Sequence, residues 1–387
     1  MPFRHLVLAL SLWTAAAAQD FYSVPGVDAP ELAARGRSAV GVRTIDIVHP
    51  GQVDILHFDK ATGKAPLYDR LLKIEVWYPA ILPPGSQERA VYDSNMPVKA
   101  EGAPRTFQCP GKALRDAAPV AGERFPLVVV SHGYPGTLLN RASDQMFTIE
   151  ALEARSRHAN DFLSGALDAS RVAIIGYSMG GYGALASAGA GYSKQGEAAR
   201  QMPGGYLETW TAGNPVFEGR RRDNPKALVA IAPWGAQPRN NWDAEGLAGI
   251  RIPSLFIVGD RDDTSGYEQS VKKAFDGAVN SERYMLVYEN ARHNVGGNPP
   301  PPEALGSFVE RAFFDEPVWR IDRIAGINQH FVTAFLDLYL KGDERRRAYW
   351  NVEGKSDDAA QPWPGFQRRW SVGLEMYHGR GRNRLAK

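Results

Sequence analysis

The chain has 387 residues, a formal net charge of +2 and an apolar fraction of 44%. The length suffices for one sizeable α/β domain, and the near-neutral charge gives no electrostatic pull towards nucleic acid or an anionic membrane. Cys109 is the single cysteine, so an intrachain disulfide is excluded, and its turn-like surroundings predict a packing role. Neither metal-ligand spacing nor a nucleotide-binding loop is present, so we expect no metal and no cofactor.

The N-terminus has the pattern of a signal peptide. Arg4 and His5 precede an apolar run at residues 6–18 that ends in three alanines. This pattern predicts a signal peptide at residues 1–18, cut before Gln19, and hence a secreted protein, extracellular or periplasmic. A buried N-terminal helix is the alternative. The run is too short for a membrane span, and we expect no span elsewhere in the chain.

The first third of the mature chain contains few regular elements. Residues 19–40 are expected to form an irregular arm, and residues 80–124, which are rich in Pro, Gly and Ala, mainly loop. Residues 40–48 and 72–78 are predicted as strands. The second alternates apolar and polar residues, so one of its faces should contact water.

From residue 126 onwards, short apolar segments alternate with helical ones. Strands are predicted at residues 126–131, 171–176, 227–232, 254–258 and 284–288, and helices at 144–157, 181–190, 266–275 and 329–341. This alternation indicates an α/β fold whose central sheet is mostly parallel and flanked by helices. We expect residues 19–387 to form one domain, with an insertion at 191–226 and a Pro-rich loop at 294–328. Each of these two segments either shapes the entrance to a pocket or is a surface loop, and the sequence does not distinguish the two roles.

A nucleophile motif follows the second of these strands. Residues 176–181 read Gly-Tyr-Ser-Met-Gly-Gly and lead into a segment of small residues. G-x-S-x-G suits a sharp strand-to-helix turn that exposes Ser178, because the residues two before and two after it must be small. The helix then points free N–H groups at the serine, where an oxyanion would form. The alternative is a glycine-rich turn with an incidental serine. The strand and helix on either side favour Ser178 as a nucleophile.

The oxyanion donors are predicted from two places. Residues 131–136 read Ser-His-Gly-Tyr-Pro-Gly directly after a buried strand. The backbone N–H of Tyr134 in this loop and that of Met179 after the nucleophile are the candidate donors. His132 precedes the serine in the chain, so we expect it to brace the loop rather than to act as the base.

The acid and the base are expected after two later strands, in the chain order Ser, Asp, His. Residues 259–264 read Gly-Asp-Arg-Asp-Asp-Thr; Asp262 is the predicted acid and Asp263 the runner-up. His293 follows the last predicted parallel strand and is the predicted general base. Because parallel strands present their carboxyl ends at one edge, these side chains should meet there. The sequence therefore predicts a serine hydrolase with a Ser178–Asp262–His293 triad that works through an acyl-enzyme.

The motifs also carry a family resemblance over residues 38–350. The chain resembles the dienelactone-hydrolase-like and platelet-activating-factor-acetylhydrolase-like branch of the α/β hydrolases. The matching segments are residues 40–44, 76–79, 131–136, 176–181 and 259–263. The resemblance implies the α/β-hydrolase fold and hydrolysis of carboxylic esters, most simply short-chain or acetyl esters. True dienelactone hydrolases have a cysteine nucleophile, whereas this chain has Ser178.

A second similarity is to cutinases and polyester hydrolases. Gly133 and Tyr134, Met179, and residues 232–234 (Ala-Pro-Trp) match their pattern. The similarity implies that Tyr134 and Trp234 flank a bound acyl group, and Tyr177 joins them as a candidate substrate-binding residue. A lipase or cutinase-like polyesterase is therefore an alternative function. The partners implied are small-molecule or polymeric esters, and the oligomeric state stays open.

One departure from the family concerns the length of the chain before the nucleophile. Residues 137–170 separate the oxyanion loop from the strand before Ser178 and have room for little more than one helix. The family fits a helix, a strand and a second helix there. The chain is therefore expected to lack one helix–strand unit between residues 137 and 170. This departure makes a catalytically inactive hydrolase-fold binding protein the alternative of a different class.

Overall fold

The structure, a computed structural model, describes residues 25–96, 105–134, 136–220, 225–236 and 238–382. The predicted signal peptide at residues 1–18 lies outside them. Within the described residues the strands are β1 (Ala39–Val53), β2 (Leu67–Ile81), β3 (Ala90–Asn95), β4 (Thr106–Gly111), β5 (Leu114–Arg115), β6 (Ala118–Pro119), β7 (Phe125–Ser131), β8 (Leu167–Tyr177), β9 (Ala227–Ile231), β10 (Ser254–Gly259), β11 (Arg283–Tyr288), β12 (Gly354–Lys355) and β13 (Leu374–Gly379). The α-helices are α1 (Arg141–Arg157), α2 (Met179–Ser187), α3 (Glu197–Gln201), α4 (Pro215–Arg220), α5 (Ala244–Ala248), α6 (Lys272–Gly277), α7 (Phe308–Phe314) and α8 (Ile321–Lys341).

The larger sheet is mostly parallel. In the part of the chain that the structure describes, its strand order is β12-β13-β11-β10-β9-β8-β7. Strands β7 to β11 run parallel to one another, whereas β13 is antiparallel to both β11 and β12. This arrangement confirms the α/β class with a mostly parallel sheet flanked by helices.

Both faces of this sheet are covered, which explains the uninterrupted apolar strands in the sequence. Phe256 of β10 faces one cluster, which includes Phe275 of α6. Leu255 faces the other, which includes Phe331 and Phe335 of α8. Successive side chains of a strand point to opposite faces, so a strand buried on both sides must be apolar throughout.

Strand β7 ends the larger sheet on one side, where β8 is its neighbour. Its Leu127 and Val129 are buried, but Val128 and Val130 are exposed, Val130 to 67%. Residues 137–166, all of them described, contain α1 and turns but no strand. The predicted single helix at 144–157 is thus present and begins slightly earlier, at Arg141.

A second sheet lies in the N-terminal part of the chain. β1 and β2 pair in antiparallel fashion, and β5 and β6 extend the pair on either side. Alternate residues of β2, among them Ile74 and Tyr78, face inward. This agrees with the prediction that one face of this strand contacts water and the other is buried. β1 extends beyond its predicted end at residue 48, to Val53.

Residues 80–124, predicted to be mainly loop, contain the short strands β3, β4, β5 and β6 among their described residues. β3 and β4 form an antiparallel hairpin. Partners distant in the chain support it: Phe107 packs edge-on to Phe314, at 5.9 Å between ring centroids, and Arg105 pairs with Glu310. Local Pro and Gly content does not reveal such contacts. Cys109 packs in this cluster, and burial raises its pKa to about 11, in keeping with a packing role.

The described part of the N-terminal arm, residues 25–40, is mostly irregular, as expected, whereas a later segment differs from the expectation. The arm contains a 3₁₀ turn, Glu31–Ala33, and the Leu32 amide donates a hydrogen bond to Nδ1 of buried His330, at 3.1 Å.

Residues 294–328, predicted as a Pro-rich loop, include α7 and the first turns of α8. Near the C-terminus, His378 belongs to β13 and stacks on Tyr284. Among the described helices, none has the length and apolarity to cross a bilayer.

Candidate active site

Ser178 stands on the turn between β8 and α2. Its backbone has φ 53° and ψ −116°, a strained conformation for a residue with a side chain. The two motif glycines make this turn possible. A Cβ at Gly176 would lie 2.4 Å from the carbonyl oxygen of Gly180, and one at Gly180 would lie 2.0 Å from the carbonyl oxygen of Ser131. The G-x-S-x-G spacing therefore reflects close backbone contacts on both sides of the serine.

Ser178, His293 and Asp262 lie in one hydrogen-bonded chain. Nε2 of His293 is 3.0 Å from Oγ of Ser178, and Nδ1 is 3.0 Å from each carboxylate oxygen of Asp262. An ionised carboxylate only accepts hydrogen bonds, so the imidazole proton belongs on Nδ1. Nε2 is then the acceptor for the serine hydroxyl. The residues predicted as acid, base and nucleophile are thus together, in geometry suited to proton transfer.

The carboxylate of Asp262 is buried and yet ionised. Its side chain is fully buried, and its Oδ1 accepts the backbone N–H groups of Thr264 and Ser265 at 2.9 and 2.7 Å. Burial opposes ionisation, but the hydrogen bond from His293 and those from the two amides outweigh it, so the pKa of Asp262 lies below its ordinary value. A carboxylate so fixed can orient the imidazole and stabilise its cation.

The runner-up acid, Asp263, has a different partner. Its carboxylate pairs with the guanidinium of Arg292 at 2.6 Å, and both side chains are at least half exposed. Of the two aspartates that the sequence left open, Asp262 contacts His293 and Asp263 contacts Arg292.

The predicted oxyanion loop passes beside the nucleophile. A Cβ built on Gly133 would lie 3.2 Å from Cβ of Ser178, so the backbone here is in direct contact with the serine. Arg141 donates to the carbonyl oxygen of Gly133 at 3.1 Å, and Nδ1 of His132 lies 3.0 Å from the same oxygen. His132 therefore contacts the loop backbone, as expected of a brace. Pro135 lies outside the described residues.

Tyr134 and Met179, the predicted oxyanion donors, are each the neighbour in the chain of a residue at this turn, Gly133 and Ser178. Met179 is the first residue of α2, and N–H groups in a first helical turn have no acceptor within the helix. Tyr134 follows Gly133, and its side chain is 62% exposed. Donation from these two amides to an oxyanion stays a prediction.

Of the remaining candidates, Tyr177 contacts His293. Its ring stacks on His293 with 5.4 Å between centroids, and its hydroxyl donates to the His293 carbonyl oxygen at 3.3 Å. Burial raises the pKa of the phenol, so it is neutral. Trp234 donates its backbone N–H to the carbonyl oxygen of Ser178 at 3.1 Å, and Arg239 covers its ring. Substrate binding by Tyr177 and Trp234 stays a prediction.

Sequence reasoning missed three residues that support this site. Ser265 donates its hydroxyl to the Ala232 carbonyl oxygen at 2.8 Å, and buried Glu316 accepts the Arg292 N–H at 2.9 Å. Asn294 donates to the carbonyl oxygens of two residues around the end of α7. An Asp whose side chain can accept the backbone N–H two residues later is a signal for the local turn that fixes Asp262, in which Thr264 is that donor. Nothing in the local sequence signals Glu316.

A large cavity, of about 1200 Å³, lies elsewhere. His49 of β1, Phe147 of α1, Ala188 beyond the carboxyl end of α2 and Trp210 of the 191–226 insertion line it, and Ser178 does not. The cavity is therefore at the opposite end of α2 from Ser178. Two further lining residues, Arg220 and Pro225, flank residues 221–224, which lie outside the described part.

No protein-family model matches the chain, and no curated protein matches it. Within the described residues, no group of His, Cys, Asp and Glu side chains is arranged to hold a metal ion. The geometry around Ser178 is therefore the feature that bears on function.

Proposed function

We propose that the protein is a serine hydrolase of carboxylic esters, with Ser178 as nucleophile, His293 as general base and Asp262 as the acid that orients it. The observation that carries this proposal is the unbroken hydrogen-bonded chain from Ser178 Oγ through His293 to Asp262. Its support is the strained backbone at Ser178 together with the ionised, buried state of Asp262. Acetyl and other short-chain esters are the substrates proposed first.

The chemistry follows from the geometry. His293 Nε2 takes the hydroxyl proton as Ser178 Oγ attacks the ester carbonyl carbon, and the new oxyanion accepts N–H groups of Tyr134 and Met179. The tetrahedral intermediate then expels the alcohol, which receives the proton from His293. Water, activated by the same imidazole, attacks the acyl-enzyme, releases the carboxylic acid and restores Ser178.

The α/β-hydrolase fold is part of this proposal. The parallel strands β7 to β11 carry, in order along the sheet, the oxyanion loop, the nucleophile, Trp234, the acid and the base, each directly after a strand. The α/β-hydrolase fold has its active-site residues in this order, at the carboxyl ends of the parallel strands. Relative to the family, the proposed fold is shorter by one helix–strand unit beyond β7.

A single assay tests the function. Pure protein is incubated with p-nitrophenyl acetate, with and without a serine-directed phosphonate, and the labelled residue is identified by mass spectrometry. We expect turnover that the phosphonate abolishes, with the label on Ser178. Ser178→Ala is the matched control and should retain the fold, checked by circular dichroism, with neither turnover nor label.

The second candidate function is an inactive, hydrolase-fold binding protein. The observation that favours it is the open edge of the sheet at β7, where Val128 and Val130 are exposed directly before the oxyanion loop. Absence of both turnover and phosphonate label in folded protein would favour it over the enzyme. Label without turnover would instead indicate a competent nucleophile with a defective oxyanion site.

Export is proposed on the N-terminal sequence alone. Expression of the full chain in a secreting host should yield a protein that begins at Gln19, measured by N-terminal sequencing. Recovery of residues 1–18 on the mature protein would contradict export through a cleaved signal peptide.

A further inference from the structure

The large cavity at the far end of α2 has no part in the proposed chemistry. Its volume of about 1200 Å³ exceeds the roughly 300–1,000 Å³ of typical small-molecule pockets, so it has room for a ligand of two or more rings. Strand β1, helix α1 and the 191–226 insertion each contribute residues to its wall. The chemistry of this wall therefore indicates which ligand it suits.

His49 gives the wall a hydrogen-bonding group that is held in place. Its Nδ1 lies 3.0 Å from Oδ1 of Asp144, and Nε of Arg70 lies 2.8 Å from the other oxygen of that carboxylate. The imidazole also stacks face to face on Phe147, with 4.1 Å between ring centroids. An ionised carboxylate only accepts hydrogen bonds, so the imidazole proton belongs on Nδ1 and Nε2 is an acceptor. Within the described residues Nε2 has no hydrogen-bond partner, which leaves it to a ligand.

Aromatic side chains form the apolar part of the wall. Phe147, Tyr206 and Trp210 line the cavity, and the guanidinium of Arg220 lies 4.9 Å from the ring centroid of Trp210. Aromatic side chains bind flat rings through offset stacking and edge contacts. Residues 204–205, two glycines beside Tyr206, also line the cavity, and a flat molecule can approach the backbone closely where no side chain intervenes. The apolar part of the wall therefore suits planar rings.

The charged residues of the wall favour a single negative charge on the ligand. Arg251 lines the cavity, is exposed and forms no ion pair with a carboxylate among the residues that the structure describes. A guanidinium can bind a carboxylate through two parallel hydrogen bonds. Glu150 and Glu218 also line the cavity, and each interacts with another group. Because these two carboxylates repel a multiply charged group, the wall suits a carboxylate better than a phosphate.

We propose that this cavity binds a planar aromatic carboxylic acid that also carries a hydroxyl group. The rings lie against the aromatic side chains, the hydroxyl donates to Nε2 of His49, and the carboxylate pairs with Arg251. The site is separate from the proposed function, because Ser178 does not line the cavity.

Calorimetric titration with 6-hydroxy-2-naphthoate tests the site. This compound has two fused flat rings, a hydroxyl on one ring and a carboxylate on the other. 2-Naphthoate lacks the hydroxyl, and 2-naphthol lacks the carboxylate. We expect 6-hydroxy-2-naphthoate to bind, and each of the other two compounds to bind about fivefold to tenfold more weakly, as the loss of one hydrogen bond or ion pair predicts.

Two variants relate the groups of the ligand to residues of the wall. His49→Phe keeps a flat ring beside Phe147 and removes the acceptor, so 6-hydroxy-2-naphthoate and 2-naphthoate should then bind within about twofold of each other. Arg251→Gln should in the same way bring 6-hydroxy-2-naphthoate and 2-naphthol within about twofold. Because Arg251 is exposed, its variant tests the site even if His49→Phe does not fold. Arg37→Gln, at an exposed position outside the cavity wall, is the matched control and should change no affinity.

Several results would overturn the proposed site. These are absence of calorimetric binding by the unchanged protein, a preference for the carboxylate that persists in Arg251→Gln, or tighter binding of adenosine monophosphate than of 6-hydroxy-2-naphthoate. Competitive inhibition of p-nitrophenyl acetate turnover that Arg251→Gln does not relieve would place the compound at Ser178 instead. Because the titration requires no turnover, its result is independent of whether the proposed function is correct.

Discussion

Asp262 and Asp263 are neighbours in the chain, yet their carboxylates have different partners: Asp262 is bonded to the buried Nδ1 of His293 and Asp263 is paired at the surface with Arg292. The difference separates a group that can orient the base from one that can add only surface charge.

The first prediction concerns these two aspartates. Asp262→Asn should lower kcat by about 10³–10⁴, because the amide favours the wrong imidazole tautomer and cannot stabilise its cation. Asp263→Asn should change kcat less than threefold, since an exposed ion pair contributes about 0–1 kcal/mol. Steady-state kinetics with p-nitrophenyl acetate measure both. Equal losses would show that Asp262 is not the acid.

The second prediction concerns the role of Tyr177. Its hydroxyl contact to His293 is long, at 3.3 Å, while its ring stacks on the imidazole. Tyr177→Phe should therefore keep kcat within about threefold, whereas Tyr177→Ala should lower kcat about tenfold or more through misplacement of the base. If Tyr177→Ala raises KM and leaves kcat unchanged, the residue binds substrate instead, as the sequence predicted.

The third prediction tests the packing that forces the turn at Ser178. Gly180→Ala places a methyl group 2.0 Å from the Ser131 carbonyl oxygen, so backbone must move. We expect a loss of about 2–3 kcal/mol in the free energy of unfolding, measured by urea denaturation, together with loss of turnover. Gly219→Ala is the control, because nothing lies within 4 Å of its added Cβ, and it should change stability by less than about 1 kcal/mol.

The fourth prediction concerns acid stability. Burial lowers the pKa of His330 to about 4, whereas an unfolded histidine titrates near 6.5. Below pH 6.5 the unfolded state therefore binds a proton that the folded state does not, so stability falls as the pH drops from about 6.5 to 4. The loss amounts to about 3 kcal/mol. In His330→Gln, which keeps an acceptor for the Leu32 N–H, the fall between pH 7 and pH 4.5 should be smaller by about that amount. An unchanged pH dependence of urea unfolding would contradict this linkage.

The sequence predicted the elements whose signals are local. Each strand from β7 to β11 is a short apolar run, and the turn at Ser178 needs small residues at fixed spacing, so both could be located without a structure. The chain order of acid and base after their strands then indicated Asp262 and His293. The same reasoning left Asp263 open, because the direction of a side chain in a turn depends on partners such as Arg292 that are remote in sequence.

The elements that were missed depend on remote partners. The β3–β4 hairpin packs on Phe314 and is tied by Arg105 to Glu310, about two hundred positions away in the chain. Strand β13 completes the sheet at β11, although its residues follow a long irregular segment. Propensity describes neither kind of contact, because tertiary packing supplies the stability of such short strands.

The residues of the proposed site follow strands of unequal local stability, because one of these strands, β7, is at the edge of the larger sheet. Ser178, Asp262 and His293 follow strands with a neighbour on each side, whereas the oxyanion loop follows β7, which has a neighbour on one side. Edge strands open at lower free energy than central ones, so warming should release Gly133 and Tyr134 before it disturbs the triad. A temperature range follows in which phosphonate still labels Ser178 although ester turnover has already declined. The limit of activity on heating would then be set by the rigidity of one strand at the edge rather than by the reactivity of the serine.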